Sequence, residues 1–429
     1  MGRVKAEKTR NTLKQTREKR KTQVPRVYQL KLQNLSEKDR EVLGRLFLEA
    51  KWLYNYIIAD VENRLNRDTW KLKEVEIKTP EGFKRREIKQ LFSQMRQGIV
   101  ERIKGNLLSL KRAKEKGIKV GKLSFKSEVR SIPLKQYGIT YKISGDRNRV
   151  KIQGIKKKFR ILGLHQIPKN AELAEAHLIK KPSGYYLHVV CYLPKEEVLK
   201  EIRERRLKEP IGIDLGVKHQ LTLSNGEKFS WYIPETKRLI RLQKSLSRKK
   251  KGSKNYWKIK QLIRREWEYI NNKRKDTLNK AVSYLKRFSL IVVQNDNIKS
   301  WKEGYFGKQI QNTGIGGITA RLRTLATLIP VVFVDRYEPT TQTCSFCGHR
   351  QRVSLSERTF KCQSCGKEID RDVNSARNIL RIAIEKLKGE GKLLKTLPVD
   401  CGEVTPVEWG LSHDEAGSPD FSRGRKSRF

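Results

Sequence analysis

Apolar residues recur at helical spacing over two long stretches near the start of the chain. Leu43, Leu46, Phe47, Ala50, Leu53, Tyr54 and Ile57 fall three and four apart, and Ser36 with Asp39 three places later supplies a start signal, so a helix is predicted there. A second helix is predicted over about 86–116, with Ile88, Leu91, Phe92, Met95, Ile99, Ile103, Leu107 and Leu110 as its packed stripe and a flank dense in Lys and Arg. Ahead of both, the alternating run VYQLKL at 27–32 predicts a strand. From about 120 to 195 the period drops to two, in short runs such as YGITYKI and GYYLHVVCYL broken by Gly, Pro and Asn, which predicts a small, mostly antiparallel β domain. Charge then dominates at about 195–210, marking a boundary.

The second half has the pattern of an α/β domain. IGIDLGV and HQLTLS predict a first hairpin, and about 234–288 is strongly helical around a basic break, SRKKKGSKN. SLIVVQ at 289–294 and PVVFVD at 330–335 are short apolar runs of the kind found in buried strands. Residues 1–24 hold almost nothing apolar and are expected to be a disordered basic arm that orders on nucleic acid. A tail rich in Gly, Pro, Ser and Asp, at 396–429, is also expected to be disordered.

Charge narrows the class of partner. Lys and Arg number 96 against 46 acids, a formal net charge of +50 on 429 residues. Such a surface repels itself, and a polyanion whose counterions are released on binding relieves that repulsion. Nucleic acid is therefore the expected partner. No run of about 18 apolar residues is present and the N-terminus lacks an apolar signal core, so a soluble protein of the prokaryotic cytoplasm or nucleoid, with no membrane partner, is expected.

Two kinds of chemistry stand out. Cys344 and Cys347, fourteen intervening residues, then Cys362 and Cys365 form two CxxC knuckles, a spacing that suits one structural Zn²⁺ held by four thiolates. Gly348 and Gly366 follow the knuckles and are expected to free amides for hydrogen bonds to sulfur. Cys191 and Cys401 lie outside the pattern and receive no role. The other chemistry is acidic: hydrolysis of a phosphodiester by two metals needs carboxylates around ions about 3.5–4 Å apart. Asp214 interrupts the apolar strand IGIDLGV, where a charge is costly unless paired or metal-bound. Asp370 and Asp372 open a helix packed through Val373, Ala376, Ile379, Leu380 and Ala383, and spacing alone leaves open which acid caps it and which is a ligand.

In order, IGIDLGV, a basic helical region, VVQNDNIKSW, VDRYEPTTQTCSFCGHR, the second knuckle and DRDVNSARNI resemble the signature of TnpB, the transposon-encoded relative of the compact type V CRISPR effectors. The resemblance covers about 205–385 and is looser before that. It implies a multidomain α+β protein: a small β-barrel-like wedge domain with a helical recognition insert, an RNase H-like RuvC α/β domain and an inserted four-cysteine zinc ribbon. The wedge is expected at 25–45 and 119–205, the recognition domain at 46–118, the nuclease domain at 206–340 and 370–395, and the ribbon at 341–369.

The implied activity is an RNA-guided DNA endonuclease cutting double-stranded DNA beside a short adjacent motif, with a guide RNA and Mg²⁺, two ions being expected. One or two copies of the chain per RNA are compatible with the sequence. The family's first and third catalytic aspartates fall on Asp214 and Asp372. The second acid departs from the pattern: Gln294 stands where most members have glutamate, while a subgroup resembling YQDENIK places the acid at Asp296. A shift of two on a strand keeps the side chain on one face and moves it by about 6–7 Å, so Asp296 is the expected ligand and Glu338 the reserve. Phosphate contacts are expected from Arg248, Lys249, Lys250, Lys251 and Lys254 and from Lys156, Lys157 and Lys158. Tyr54, Asn55 and Lys126 are expected at the nucleic acid as well, and PTTQT at 339–343 at the mouth of the site. Two rivals remain: an RNA-guided DNA-binding repressor with a weakened nuclease, and an unguided, transposase-like DNA-binding protein.

Overall fold

The computed structural model describes residues 2–389 except 67, 80, 145–147, 205–207, 305–306 and 355. The expected tail and Cys401 lie outside the described residues. The chain divides into two units, Met1–Val198 and Leu199–Phe429. No helix among the described residues is long and apolar enough to cross a membrane.

The first unit opens with a correction. Instead of a disordered arm, α1 runs Gly2–Lys21. Lys, Arg, Glu and Gln are good helix formers, and the basic last turn suits the helix dipole. That end is also pinned: Arg20 and Lys19 each lie 2.8 Å from the Glu172 carboxylate, and the Arg20 guanidinium sits 3.6 Å over the Tyr192 ring. Arg20, then Lys19, hold Glu172 down at about 2. A sequence too polar to fold by itself is ordered by partners far along the chain.

Then follow β1 (Gln23–Gln33), α2 (Glu37–Ala59), the single turn α3 (Val61–Arg64), β2 (Glu74–Thr79), β3 (Gly82–Glu87) and α4 (Ser93–Glu115). Ser36 closes a capping box with Asp39 at the start of α2. All seven apolar positions predicted for α2 are buried. The expected beginning of the second helix is instead the end of β3 and a loop at 88–92. The chain enters α4 only after Glu49, fully buried, accepts hydrogen bonds from the amides of Gln90 (2.7 Å) and Leu91 (2.8 Å).

The rest of this unit is β4 (Ser131–Leu134), β5 (Tyr141–Ser144), β6 (Arg149–Ile152), β7 (Lys158–Leu162), β8 (Glu172–Lys181), β9 (Gly184–Pro194) and α5 (Lys195–Glu204), which spans the division between units. With β1 these strands make one antiparallel sheet in the order β4-β8-β9-β1-β7-β6-β5. Strict alternation along β9 turns Tyr185, Leu187, Val189 and Cys191 into the core shared with α2 and α4, and buries Leu193 as well. Among the described residues the end strands β4 and β5 have no ladder between them, so the expected barrel is a curled, open sheet. Burial pushes the Cys191 thiol up to about 11, in keeping with a packing role.

The second unit holds β10 (Ile211–Asp214), β11 (Leu221–Leu223), β12 (Lys228–Phe229), α6 (Lys237–Ser247), α7 (Lys254–Leu285), β13 (Ile291–Gln294), α8 (Ile298–Glu303), α9 (Gly307–Thr313), α10 (Gly316–Leu325), β14 (Val331–Val334), β15 (Thr359–Lys361), β16 (Glu368–Asp370) and α11 (Arg371–Gly389). The sheet order is β12-β11-β10-β13-β14; β10, β13 and β14 are parallel, and the predicted hairpin is the antiparallel pair β10–β11. Helix α11 lies against β10, β11, β13 and β14 through Ile379, Leu380, Ala383 and Leu387. Its approach to β10 depends on Gly212, because a Cβ there would stand 2.1 Å from the Ala376 carbonyl oxygen and 2.8 Å from Leu380 Cβ. Neither helix backbone nor strand can yield cheaply. Gly212→Ala is therefore expected to cost on the order of 1–3 kcal/mol and to lower the melting temperature, which thermal unfolding checks. An unchanged melting temperature would contradict this close packing.

Candidate active site

The carboxyl ends of the parallel strands gather the acids. Asp214 is the last residue of β10 and its neighbour in the sheet, β13, ends level with it at Gln294. Asp296 follows two residues later, before Asn297 caps α8 by accepting from the Ser300 amide at 3.3 Å. Asp372 comes from the first turn of α11. Open α/β sheets place ligands at this end of their strands.

Electrostatics tie the three together. Burial raises the Asp214 carboxyl to about 8, with repulsion from Asp372 and then Asp296 adding to it; a hydrogen bond with Ser375 and the charge of Arg371 act the other way. Burial also raises Asp296. Such a group sheds its cost by keeping a proton or by gaining a cation. The three do not enclose a single point: among the described residues only the four cysteines bring their ligand atoms all within 4.8 Å of one another.

Asp370 and Asp372 have separate tasks. The Asp370 carboxylate accepts from the amides of Asp372 and Val373, each at 3.1 Å, and meets Lys228 at 2.6 Å. Burial works to raise Asp370, but Lys228 and those amides outweigh it and hold the group below its ordinary value. Asp370 is thus the cap. The Asp372 carboxylate lies 3.5 Å from Arg371, and its charge acts on Asp214.

Gln294 is a clamp. It is 7% exposed; its amide nitrogen donates to the carbonyls of Asp335 (3.2 Å), Arg336 (3.3 Å) and Glu338 (3.4 Å), and its oxygen accepts from the Thr340 hydroxyl (3.3 Å). A glutamate could donate none of these bonds. Gln294→Glu is expected to destabilise the metal-free fold by about 2–3 kcal/mol, read as a lower melting temperature in EDTA. No loss would mean that the clamp contributes nothing. The Glu338 side chain is exposed and is not among the charges acting on Asp214.

Residues that the sequence reading missed complete the site. Ser375 donates to Thr340 Oγ1 (3.1 Å), Asn378 to the carbonyls of Thr340 (2.8 Å) and Thr343 (2.6 Å), and Asn374 to Thr343 (2.7 Å). Asn374, Ser375 and Asn378 are fully buried. Polar residues inside the apolar stripe of NSARNIL are the signal that marks them. The PTTQT segment is thereby fastened to α11.

The knuckles form a thiolate cage. Cys344 and Cys365 sulfurs are 3.8 Å apart, and those of Cys347 and Cys362 3.5 Å. A tetrahedron with Zn–S bonds of about 2.3 Å has edges of about 3.8 Å, whereas a disulfide bond is about 2.0 Å. The cluster fits a zinc ribbon whose strands are β15 and β16. Gly348 and Gly366 differ from expectation: in left-handed backbone at φ 78° and 69°, their amides donate to the carbonyls of Cys344 and Cys362, each at 3.0 Å. Hydrogen bonding to sulfur falls to the knuckle itself, where the Cys365 amide meets Cys362 Sγ at 3.4 Å and holds that thiol down at about 6.

The expected nucleic-acid residues fare unevenly. Arg248, Lys249, Lys250 and Lys251 are exposed between α6 and α7, as are Lys254 at the first position of α7 and Lys156, Lys157 and Lys158 before and at the start of β7. Lys157 is bonded to Asp39 at 2.6 Å. Tyr54 is corrected: at 5% exposure its ring is packed in the core and has no face for a base. Asn55 and Lys126 are also mutually engaged, with Asn55 donating to the Lys126 carbonyl (2.9 Å) and accepting from its amide (2.8 Å), and the Lys126 ammonium 4.1 Å from the Tyr54 ring. They hold a loop to α2.

Two family models match the chain. Residues 190–296 match OrfB_IS605, a probable transposase, and residues 324–379 match the Cas12f1-like TNB domain. Among curated relatives, a "Putative RNA-guided DNA endonuclease" of Streptomyces pristinaespiralis is 34% identical over 178 residues, 40% of this chain and 44% of that protein. The "Putative RNA-guided DNA endonuclease InsQ" of Escherichia coli K12 is 30% identical over 228 residues, 46% and 55% of the two chains. TnpB-like protein L79 of Acanthamoeba polyphaga mimivirus is 28% identical over 222 residues, 47% and 41%. The chain thus spans about half the length of the curated relatives it matches. Among solved structures, a Cas12f1–sgRNA–target DNA complex aligns with a TM-score of 0.45 at 17% identity, over 80% of this chain and 83% of that one. Asp214 and Asp296 fall inside the first matched segment, and Asp372 and all four cysteines inside the second, so these residues lie in the parts of the chain that are similar to these families.

Proposed function

We propose that this protein is an RNA-guided DNA endonuclease of the TnpB type, with the second unit as its RNase H-like RuvC core. The observation that carries the reading is the meeting of three acids, far apart in sequence, at the carboxyl ends of β10 and β13 and the start of α11, where two of them act on the third.

In this reading Asp214, Asp296 and Asp372 hold Mg²⁺. When bound, the ions supply activation of the attacking water and neutralise charge on the leaving 3′ oxygen. Ser375 sits beside Asp214 and ties the mouth loop through Thr340, Asp370 and Lys228 fix the turn that carries Asp372, and Gln294 holds the mouth loop. The exposed cations at 248–254 and 156–158 track phosphates, leaving sequence recognition to base pairing with the guide and to a short motif beside the target.

The test is to purify the chain with its co-expressed RNA, sequence what it retains at high salt, and incubate the complex with a randomised-flank DNA library and Mg²⁺. One defined RNA and cleavage abolished by EDTA are expected. A defined RNA with no cleavage would leave the guided repressor, and no defined RNA would defeat the guided reading altogether.

A further inference from the structure

Beyond β14 the chain runs through Asp335–Thr340 on its way to the first knuckle, and this loop is held from beneath. Besides the bonds from Gln294, the Asp335 carboxylate accepts from the Tyr337 amide (3.0 Å), and the Thr340 amide donates to the Glu338 carbonyl (2.8 Å). A backbone tied this firmly would be expected to pack its largest side chain. It does the opposite: Tyr337 is 77% exposed, above every other large apolar or aromatic side chain that is exposed among the described residues. The Arg336 guanidinium lies 4.5 Å from the Tyr337 ring centroid and donates to its hydroxyl. One face of the ring is thus backed by a cation and the side chain faces solvent. The position is equally telling, because the Asn295 amide bonds to the Val334 carbonyl at 2.9 Å, which sets the root of the loop beside the residue preceding Asp296.

We propose that Arg336 and Tyr337 form a stacking clamp for single-stranded DNA at the rim of the acid cluster. The tyrosine ring takes a base on its open face and the guanidinium takes the adjoining phosphate, drawing the strand toward the acids. Stacking needs a base already out of its duplex, so the ligand is a single strand; every base has a π-face, so the clamp is indifferent to sequence. The clamp's role in cleavage rests on the nuclease reading above, but its binding of single strands does not.

The experiment uses the RNA-loaded full chain and a fluorescent single-stranded oligonucleotide of mixed sequence, with a matched oligonucleotide of abasic sites. Binding of these oligonucleotides is measured in Ca²⁺ and cleavage of a guide-matched duplex in Mg²⁺. Tyr337→Ala is expected to weaken binding and raise KM about tenfold, with the loss in KM rather than kcat. Tyr337→Trp should restore both, Arg336→Ala should weaken both oligonucleotides, and the abasic strand should not distinguish Tyr337→Ala from wild type. Melting temperatures should match, since the ring packs against little. Unchanged binding in Tyr337→Ala, failure of Trp to restore it, or equal loss on the abasic strand would overturn the clamp. If wild type does not cut the guide-matched duplex yet Tyr337 governs oligonucleotide binding, the nuclease reading fails and the clamp stands.

Discussion

Asp214→Asn is expected to reduce DNA cleavage by at least about a thousandfold and, in EDTA, to make the protein more stable than wild type. The two effects share a cause. Asp214 is raised from 3.8 to about 8 by burial, with Asp372 and Asp296 adding repulsion. The folded state therefore holds the proton more tightly than the unfolded state. Its stability is greatest below the unfolded pKa and is lost as pH rises through the folded one, where a buried charge stands without a cation. Metal-free wild type should thus lose a few kcal/mol between about pH 4 and pH 8, and Asp214→Asn should lack that slope. Added Mg²⁺ should recover the loss in wild type only. Melting curves across pH with and without EDTA read all of this. A flat profile in wild type, or cleavage by the asparagine variant at the wild-type rate, would remove Asp214 from the site.

Loss of zinc should be as damaging, by a different route. Cys362→Ser breaks a cage whose metal folds a segment too small to fold alone. The consequence travels, because Asn374 and Asn378 spend their amide donors on Thr340 and Thr343, and the Ser345 amide returns a bond to Asn374 at 2.9 Å. Unfolding the knuckle would strip these fully buried side chains of partners at about 1–3 kcal/mol each. The start of α11, and Asp372 with it, should loosen. Wild type is expected to carry one zinc per chain by metal analysis. The serine variant should carry none, exchange the amides of 371–380 faster, and lose at least about tenfold in cleavage. Full zinc content or unaltered exchange would break the link between ribbon and acids.

Local order set much of this protein. The apolar spacing of α2 and of α11 is enough to place their packed faces, since a helix that hides those residues has few alternatives. Two CxxC pairs are enough for a thiolate cage, because knuckle geometry is local on each side. An acid in the strand IGIDLGV marks itself by its cost.

What only the tertiary structure decided are questions of partnership. Spacing left Asp370 and Asp372 equivalent, and the amides of α11 with Lys228 chose between them. Gln294 looked like a lost ligand and is a clamp, which depends on where three carbonyls from another strand end lie. Tyr54 was placed both on the apolar face of α2 and at the nucleic acid and is core, whereas α1 looked too polar to order and is held by Glu172 and Tyr192. Periodicity along the chain reports which face of an element is apolar. It carries no record of which distant donor, acceptor or charge that face will meet, and those meetings fix whether a polar side chain binds, caps, clamps or waits for a ligand.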